Sequence, residues 1–207
     1  MNRLTPLCLP EEIVVVIDRV DRSTSDSRDR QESVSGTRLV THLLRDHFGA
    51  ASPAIVTRKY EKPSADAGNR IFSVSFSHTK TNVTAAASAS LVVGVDMEMC
   101  NREVHPRLMS RMRHREEPEK VYTAYDPIQV WTMKEAALKA IGTGLRKPMN
   151  SVRLYPISEN NLEIEFNNGK KAKICSFCHN DQWISICYMT PSTANEFLSP
   201  SYVPNHS

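Results

Sequence analysis

Two short stretches of the chain carry carboxylates at spacings suited to chemistry. In Gly94-Val95-Asp96-Met97-Glu98 the acids stand two residues apart and close the apolar run Leu91–Val95. On a strand such residues project to one face, so both carboxylates emerge together where the strand leaves the core. Paired hard oxygen donors suit Mg²⁺ shared with substrate phosphates, although a strand end whose acids simply face water is the plainer reading. The second stretch is Trp131-Thr132-Met133-Lys134-Glu135-Ala136-Ala137-Leu138-Lys139. On a helix, Trp131, Glu135 and Lys139 lie at four-residue steps and form one ridge. Anchored by its tryptophan, that ridge leaves Glu135 partly buried at a cleft, where it must be paired, metal-bound or protonated. On an open surface the same Glu–Lys pair would be only a weak helix ornament.

The elements that hold these residues are legible from periodicity. Glu12–Asp18 reads as a buried β-branched strand, and Ser33–Phe48 carries leucines at helical spacing before Gly49. Pro53–Tyr60 reads as a strand, Glu61–Asn69 as a loop, and Arg70–Ser77, Asn82–Ala89 and Leu91–Met97 as three further strands. Glu103–Glu117 is a charged candidate helix stopped by Pro118. Pro127–Ile141 is the strongest helix pattern, with proline at its start and glycine beyond its end. Val152–Tyr155, Leu162–Phe166, Ala172–Phe177 and Trp183–Tyr188 read as antiparallel strands, with Asn168-Gly169 as a hairpin turn. The expected fold class is α+β. Residues 1–90 form a first half, 91–190 a second half carrying both acidic stretches, and 191–207 a loosely ordered tail.

Bulk properties mainly exclude. A chain of 207 residues with 40% hydrophobic residues can bury a full core, and its 24% charged residues do not suggest disorder. Seven glycines are too few for a multi-glycine phosphate loop. The apolar runs fall far short of the roughly 20 residues needed to cross a bilayer, and the N-terminus lacks a signal-peptide pattern. Five scattered cysteines in a chain this large read as reduced thiols in a cytoplasm. A net charge of +3 without aromatic interleaving gives no reason to expect nucleic-acid binding.

Together the two acidic stretches resemble the 4′-phosphopantetheinyl transferase superfamily, in particular its longer, pseudo-dimeric branch. The family pattern G-[IV]-D-x-E is similar to Gly94–Glu98, and [FW]-[SCT]-x-K-E-[AS]-x-x-K to Trp131–Lys139. Gly142-Thr143-Gly144-Leu145, Pro148 and Asn150-Ser151 resemble the G-x-G-L…P…[DN]-S continuation. Upstream, Glu61-Lys62-Pro63 and Ser75-Phe76-Ser77-His78 are similar to the G-K-P and S-H segments, and Arg113-His114-Arg115-Glu116 to an intervening acidic position. Glu32 stands where the pattern places a basic residue.

The resemblance implies two similar α/β halves related by a pseudo-twofold axis, each a small, mainly antiparallel sheet packed with a long helix. It implies an enzyme moving 4′-phosphopantetheine from coenzyme A to a serine of an apo acyl or peptidyl carrier protein, releasing adenosine 3′,5′-bisphosphate. Asp96, Glu98 and Glu135 would hold Mg²⁺. Glu135, directly or through a metal-bound water, would take the serine proton, and Lys139 would stabilise the leaving group. Lys62, Ser77, His78 and Lys139 would contact the nucleotide end of coenzyme A, in a cleft between the halves of a monomer. The alternative is a catalytically silent relative that binds carriers or nucleotides without transfer.

Two further stretches invite readings. The basic run with Arg107, Arg111, Arg113 and Arg115 is either a solvated helix face or a docking surface for an acidic carrier protein, with Leu108, Met109 or Met112 supplying apolar contact. Cys175-Ser176-Phe177-Cys178-His179 matches a haem-attachment pattern, but its place in a strand region favours ordinary sheet core.

Overall fold

A computed structural model describes residues 1–22, 27–57, 61–158, 161–195 and 197. In chain order the elements are β1 (Asn2–Leu4), β2 (Val14–Arg19), α1 (Arg28–Phe48), β3 (Ala54–Val56), β4 (Ser64–Asp66), β5 (Ile71–His78), β6 (Asn82–Ser88) and β7 (Val92–Met99). They continue with α2 (Pro106–Met112), α3 (Lys120–Ala124), α4 (Pro127–Ala140), β8 (Val152–Ser158), β9 (Asn161–Phe166), β10 (Lys171–His179), β11 (Gln182–Met189) and α5 (Pro191–Ala194). The class is α+β, as expected. A six-stranded sheet runs β1-β2-β6-β5-β4-β3 and a five-stranded sheet runs β7-β11-β10-β9-β8, antiparallel at every pairing.

Alternation along the strands divides the core into three layers. Val14 and Val16 of β2 turn towards Leu39, Leu43 and Leu44 of α1, whereas Val15 and Ile17 turn the other way. That second face meets Val93, Val95, Ile184 and Ile186 of the other sheet. Beyond it, the far face of the second sheet buries Val92, Ile174 and Cys187 against Met133, Ala136 and Ala137 of α4. Helix α4 is buried on almost every side, which suits its alanine-rich interior. Each sheet thus carries one long helix, and the sheets meet through their remaining faces.

Several expectations change. Helix α1 starts at Arg28, five residues before the expected start at Ser33. Residues 61–69 contain β4, whose polar sequence gives no strand pattern but which pairs with both β3 and β5. The expected strand over 53–60 covers only 54–56, and residues 58–60 lie outside the described residues. The charged helix over 103–117 shrinks to Pro106–Met112, and the chain then turns to bury Glu117. Most of the tail at 191–207 lies outside the described residues.

The reading of all cysteines as reduced is also corrected. Cys8 and Cys175 form a disulfide across 167 residues, with their Cα atoms 5.5 Å apart. The segment after β1 lies against the intersheet core, which brings Cys8 onto β10. A pairing that distant leaves no spacing signature.

Candidate active site

Strand β7 is an edge strand, paired only with β11. Val93, Val95 and Met97 face the intersheet core, so Asp96 and Glu98 share the opposite face with Gly94, towards α4. Gly94 allows the helix to come close: a Cβ there would collide with the Ala136 carbonyl oxygen and the Ala140 amide. This approach sets Glu135 and Lys139, one turn apart, beside Asp96. The ridge read from sequence therefore exists, with Trp131 half-buried on the core and Glu135 6% exposed.

Asp96 is asymmetrically satisfied. Its Oδ1 accepts hydrogen bonds from Ser77 Oγ at 2.8 Å and Lys139 Nζ at 2.7 Å. Its Oδ2 is buried and accepts none from any described residue, and Glu135 Oε1 is in the same condition. Burial pushes the Glu135 carboxyl up to about 7, with repulsion from Asp96 adding to the effect. Glu98 is also raised, chiefly by burial, against the opposing pull of Arg102, with which it forms an ion pair. Arg102 additionally lies over the Trp131 ring, 5.6 Å from its centroid.

A bare, buried oxygen on each of two mutually repelling carboxylates is what a divalent cation would relieve. The donor set of Asp96, Glu135 and Glu98 fits Mg²⁺, which takes oxygen ligands and commonly uses one or two carboxylates beside substrate phosphates. Among the described residues no three such side chains close into a ready-made cage. Glu98 is held by Arg102 through Oε1.

The other expected site residues divide. His78 lines a cleft of about 650 Å³ with Thr79, Lys80, Glu98 and Arg102. This cleft opens between the end of β5 and the end of β7. His78 is 39% exposed and its Nδ1 lies 3.2 Å from Glu32 on α1, which occupies the place where a basic residue was expected. Lys139 reaches a second opening of about 280 Å³ beside Phe76, Pro63 and the Gly142–Gly144 turn. Ser77 is buried against Asp96.

Lys62 is 3% exposed, and its ammonium donates to the Val74 carbonyl at 3.0 Å. Burial pulls it down to about 7. The turn at Gly142, whose positive φ of 73° favours glycine, folds directly over it, and a Cβ there would lie 2.8 Å from the Lys62 amide nitrogen. Lys62 therefore presents almost no surface to a ligand here.

Two acidic positions exchange importance. Glu116, matched to the family's intervening acidic position, is exposed and pairs with Arg153 at 2.6 Å. Its neighbour Glu117 is the buried one. It accepts from Lys134 at 2.9 Å, from the Leu154 amide at 2.8 Å and from the Tyr122 hydroxyl. Lys134 also donates to the Met112 and Val152 carbonyls, so the motif lysine faces away from Asp96 and organises the interior. An acid just before Pro118 carried no sequence signal of burial.

On the proposed docking run, Met112 is fully buried and Leu108 and Met109 rest partly on the core. Arg113 pairs with Glu119 and stacks on Tyr122, and Arg115 pairs with Glu116. Arg107 and Arg111, one helical turn apart, are exposed and carry no ion pair among the described residues.

Among the described residues, no helix is long and apolar enough to cross a membrane. No curated protein matches the chain significantly. Residues 92–187 match the family model of the 4′-phosphopantetheinyl transferase superfamily. The matched stretch runs from β7 through α4 to β11 and contains Asp96, Glu98, Glu135 and Lys139. Over that stretch, a little under half of its length, the chain is similar to the 4′-phosphopantetheinyl transferase superfamily.

Proposed function

We propose that the protein transfers 4′-phosphopantetheine from coenzyme A to a serine hydroxyl of an apo acyl or peptidyl carrier protein in a Mg²⁺-dependent reaction. It would act as a monomer of the longer, two-halved type. The observation that carries this reading is the pair of bare buried oxygens on Asp96 and Glu135 beside Lys139. In the reaction the serine oxygen bonds to the phosphorus that bears pantetheine. The bridging bond of the pyrophosphate breaks, and adenosine 3′,5′-bisphosphate departs. Asp96, Glu135 and Glu98 would hold Mg²⁺, which when bound neutralises charge across the pyrophosphate. Glu135 would also take the serine proton, directly or through a water. Lys139, 28% exposed, offers its ammonium to the departing phosphate. The cleft holding His78 would receive the nucleotide end of coenzyme A. The paired-free Arg107 and Arg111 would meet an acidic carrier.

Intact-protein mass spectrometry of an apo carrier incubated with coenzyme A, Mg²⁺ and this protein tests the proposal. The expected outcome is a carrier heavier by one phosphopantetheine group, lost in Glu98→Ala and Glu135→Ala. No mass gain on fatty-acid, polyketide and peptide carriers would refute transfer. Full transfer by either alanine variant would refute the metal set alone.

A further inference from the structure

Strand β5 alternates Phe72, Val74 and Phe76 with Ser73, Ser75 and Ser77. Phe72 and Val74 join the core under α1, and Phe76 packs against it. The serines point the other way, along the unpaired edge of β7. There Ser73 Oγ accepts the Val93 amide at 2.9 Å and Ser75 Oγ accepts the Val95 amide at 3.0 Å. An edge strand buried between two sheets has amides that water cannot reach, and hydroxyls at the strand repeat satisfy them. At the third step the polarity reverses. A carboxylate only accepts, so the Ser77 hydroxyl donates to Asp96 Oδ1.

We infer that Ser77 is a positioning residue for the proposed metal-binding carboxylate: its hydroxyl, with the Lys139 ammonium, saturates Asp96 Oδ1 and so leaves Oδ2 as the free oxygen. The inference rests on the proposed Mg²⁺ site and assigns Ser77 away from the nucleotide contact that sequence resemblance implies. Three observations carry it. Ser77 is 6% exposed, its proton is committed to Asp96, and the bare oxygen is the one that Ser77 and Lys139 do not touch. Donors behind a metal ligand fix its rotamer and commonly change metal affinity by about 10- to 100-fold when removed.

The test measures two affinities separately on the full chain. Mn²⁺ binding without nucleotide is followed by calorimetry, and adenosine 3′,5′-bisphosphate binding is followed without metal. Ser77→Ala should raise the Mn²⁺ Kd by about tenfold or more and leave the bisphosphate Kd within about twofold. Ser73→Ala, which removes an equivalent hydroxyl that does not touch Asp96, should lower the Tm and leave the Mn²⁺ Kd unchanged. An unchanged Mn²⁺ Kd in Ser77→Ala, a raised bisphosphate Kd, or equal weakening of Mn²⁺ binding in both variants overturns the assignment. A wild-type protein that binds no Mn²⁺ overturns the metal site itself and the assignment with it.

Discussion

Glu135 keeps its proton to about pH 7 because burial penalises its charged form and Asp96 repels it. A raised carboxyl contributes stability that is fully present below its unfolded value near 4.5 and is lost as pH rises through about 7. In chelator, the wild-type Tm should therefore fall between pH 5 and 7 more steeply than that of Glu135→Gln, and the variant should be the more stable at pH 7. Calorimetric scans with parallel pH slopes would contradict this. Lys62 acts in a different window. Its lowered value means that the folded state disfavours its charge, so stability rises with pH from about 7 towards 10.5. Lys62→Met should stabilise the protein most at pH 7 and below, with the gain shrinking as pH approaches 10.5. Chemical denaturation at pH 7 and 9.5 measures it. The contrast shows what sequence could convey at this scale. Asp96 and Glu98 follow from a two-residue spacing, and Glu135 and Lys139 from a four-residue spacing, both local rules. The interior placement of Lys62 depends on a turn at Gly142, 80 positions later, and the bond from Ser77 to Asp96 joins two strands of different sheets, which no local spacing conveys.

Helix α4 is where local and tertiary signals agree. Pro127 at its first turn, alanines within and Gly142 beyond its end predict Pro127–Ile141, and the helix spans Pro127–Ala140. What spacing does not reveal is that its two charged neighbours face different surroundings. Glu135 turns to β7, while Lys134 turns to Glu117 in a pair with both side chains fully buried. Removing one partner of such a pair strands the other charge away from water. Lys134→Met should cost about 3–5 kcal/mol in urea denaturation. Adding Glu117→Gln to Lys134→Met should recover part of that loss, and additive losses would show that the pair is not coupled. Short elements were the hardest to read. β1, β3 and β4 have three residues each, too few to display alternation; β1 takes the edge of β2, β4 the edge of β5, and β3 in turn pairs with β4. The charged stretch after Glu103 failed differently: charge density resembled a solvated helix, yet the chain bends after Met112 to bring Glu117 inside.

Across the whole molecule, the cleft at His78 is lined by neither Arg107 nor Arg111 of α2, so under the proposed function nucleotide and carrier would be recognised at separate places. Arg107→Glu with Arg111→Glu should raise KM for the carrier several-fold and leave KM for coenzyme A unchanged, as steady-state kinetics would show. Reversal at Arg113 would be a poorer probe, since Glu119 and Tyr122 already hold that side chain. The split into two sheets was legible because strand patterns cluster on both sides of the boundary expected at residues 90 and 91, and the sheets divide between Ser88 and Val92. Their face-to-face contact and the Cys8–Cys175 link were not, since both join residues far apart in sequence.

The strand order β7-β11 sets a timetable for synthesis. All strands of the first sheet lie before residue 89, so it can assemble as that contiguous stretch leaves the ribosome. β7 carries Asp96 but must wait for residues 182–189 before its ladder can form. At roughly 5–20 residues per second, that delay lasts on the order of 4–18 s. Stalled nascent chains ending near residue 150 should protect the first sheet from protease while β7 remains cleavable. The two sets of partners of β7 therefore arrive at different times: the β5 hydroxyls that accept from the Val93 and Val95 amides are made before it, and its strand partner β11 long after.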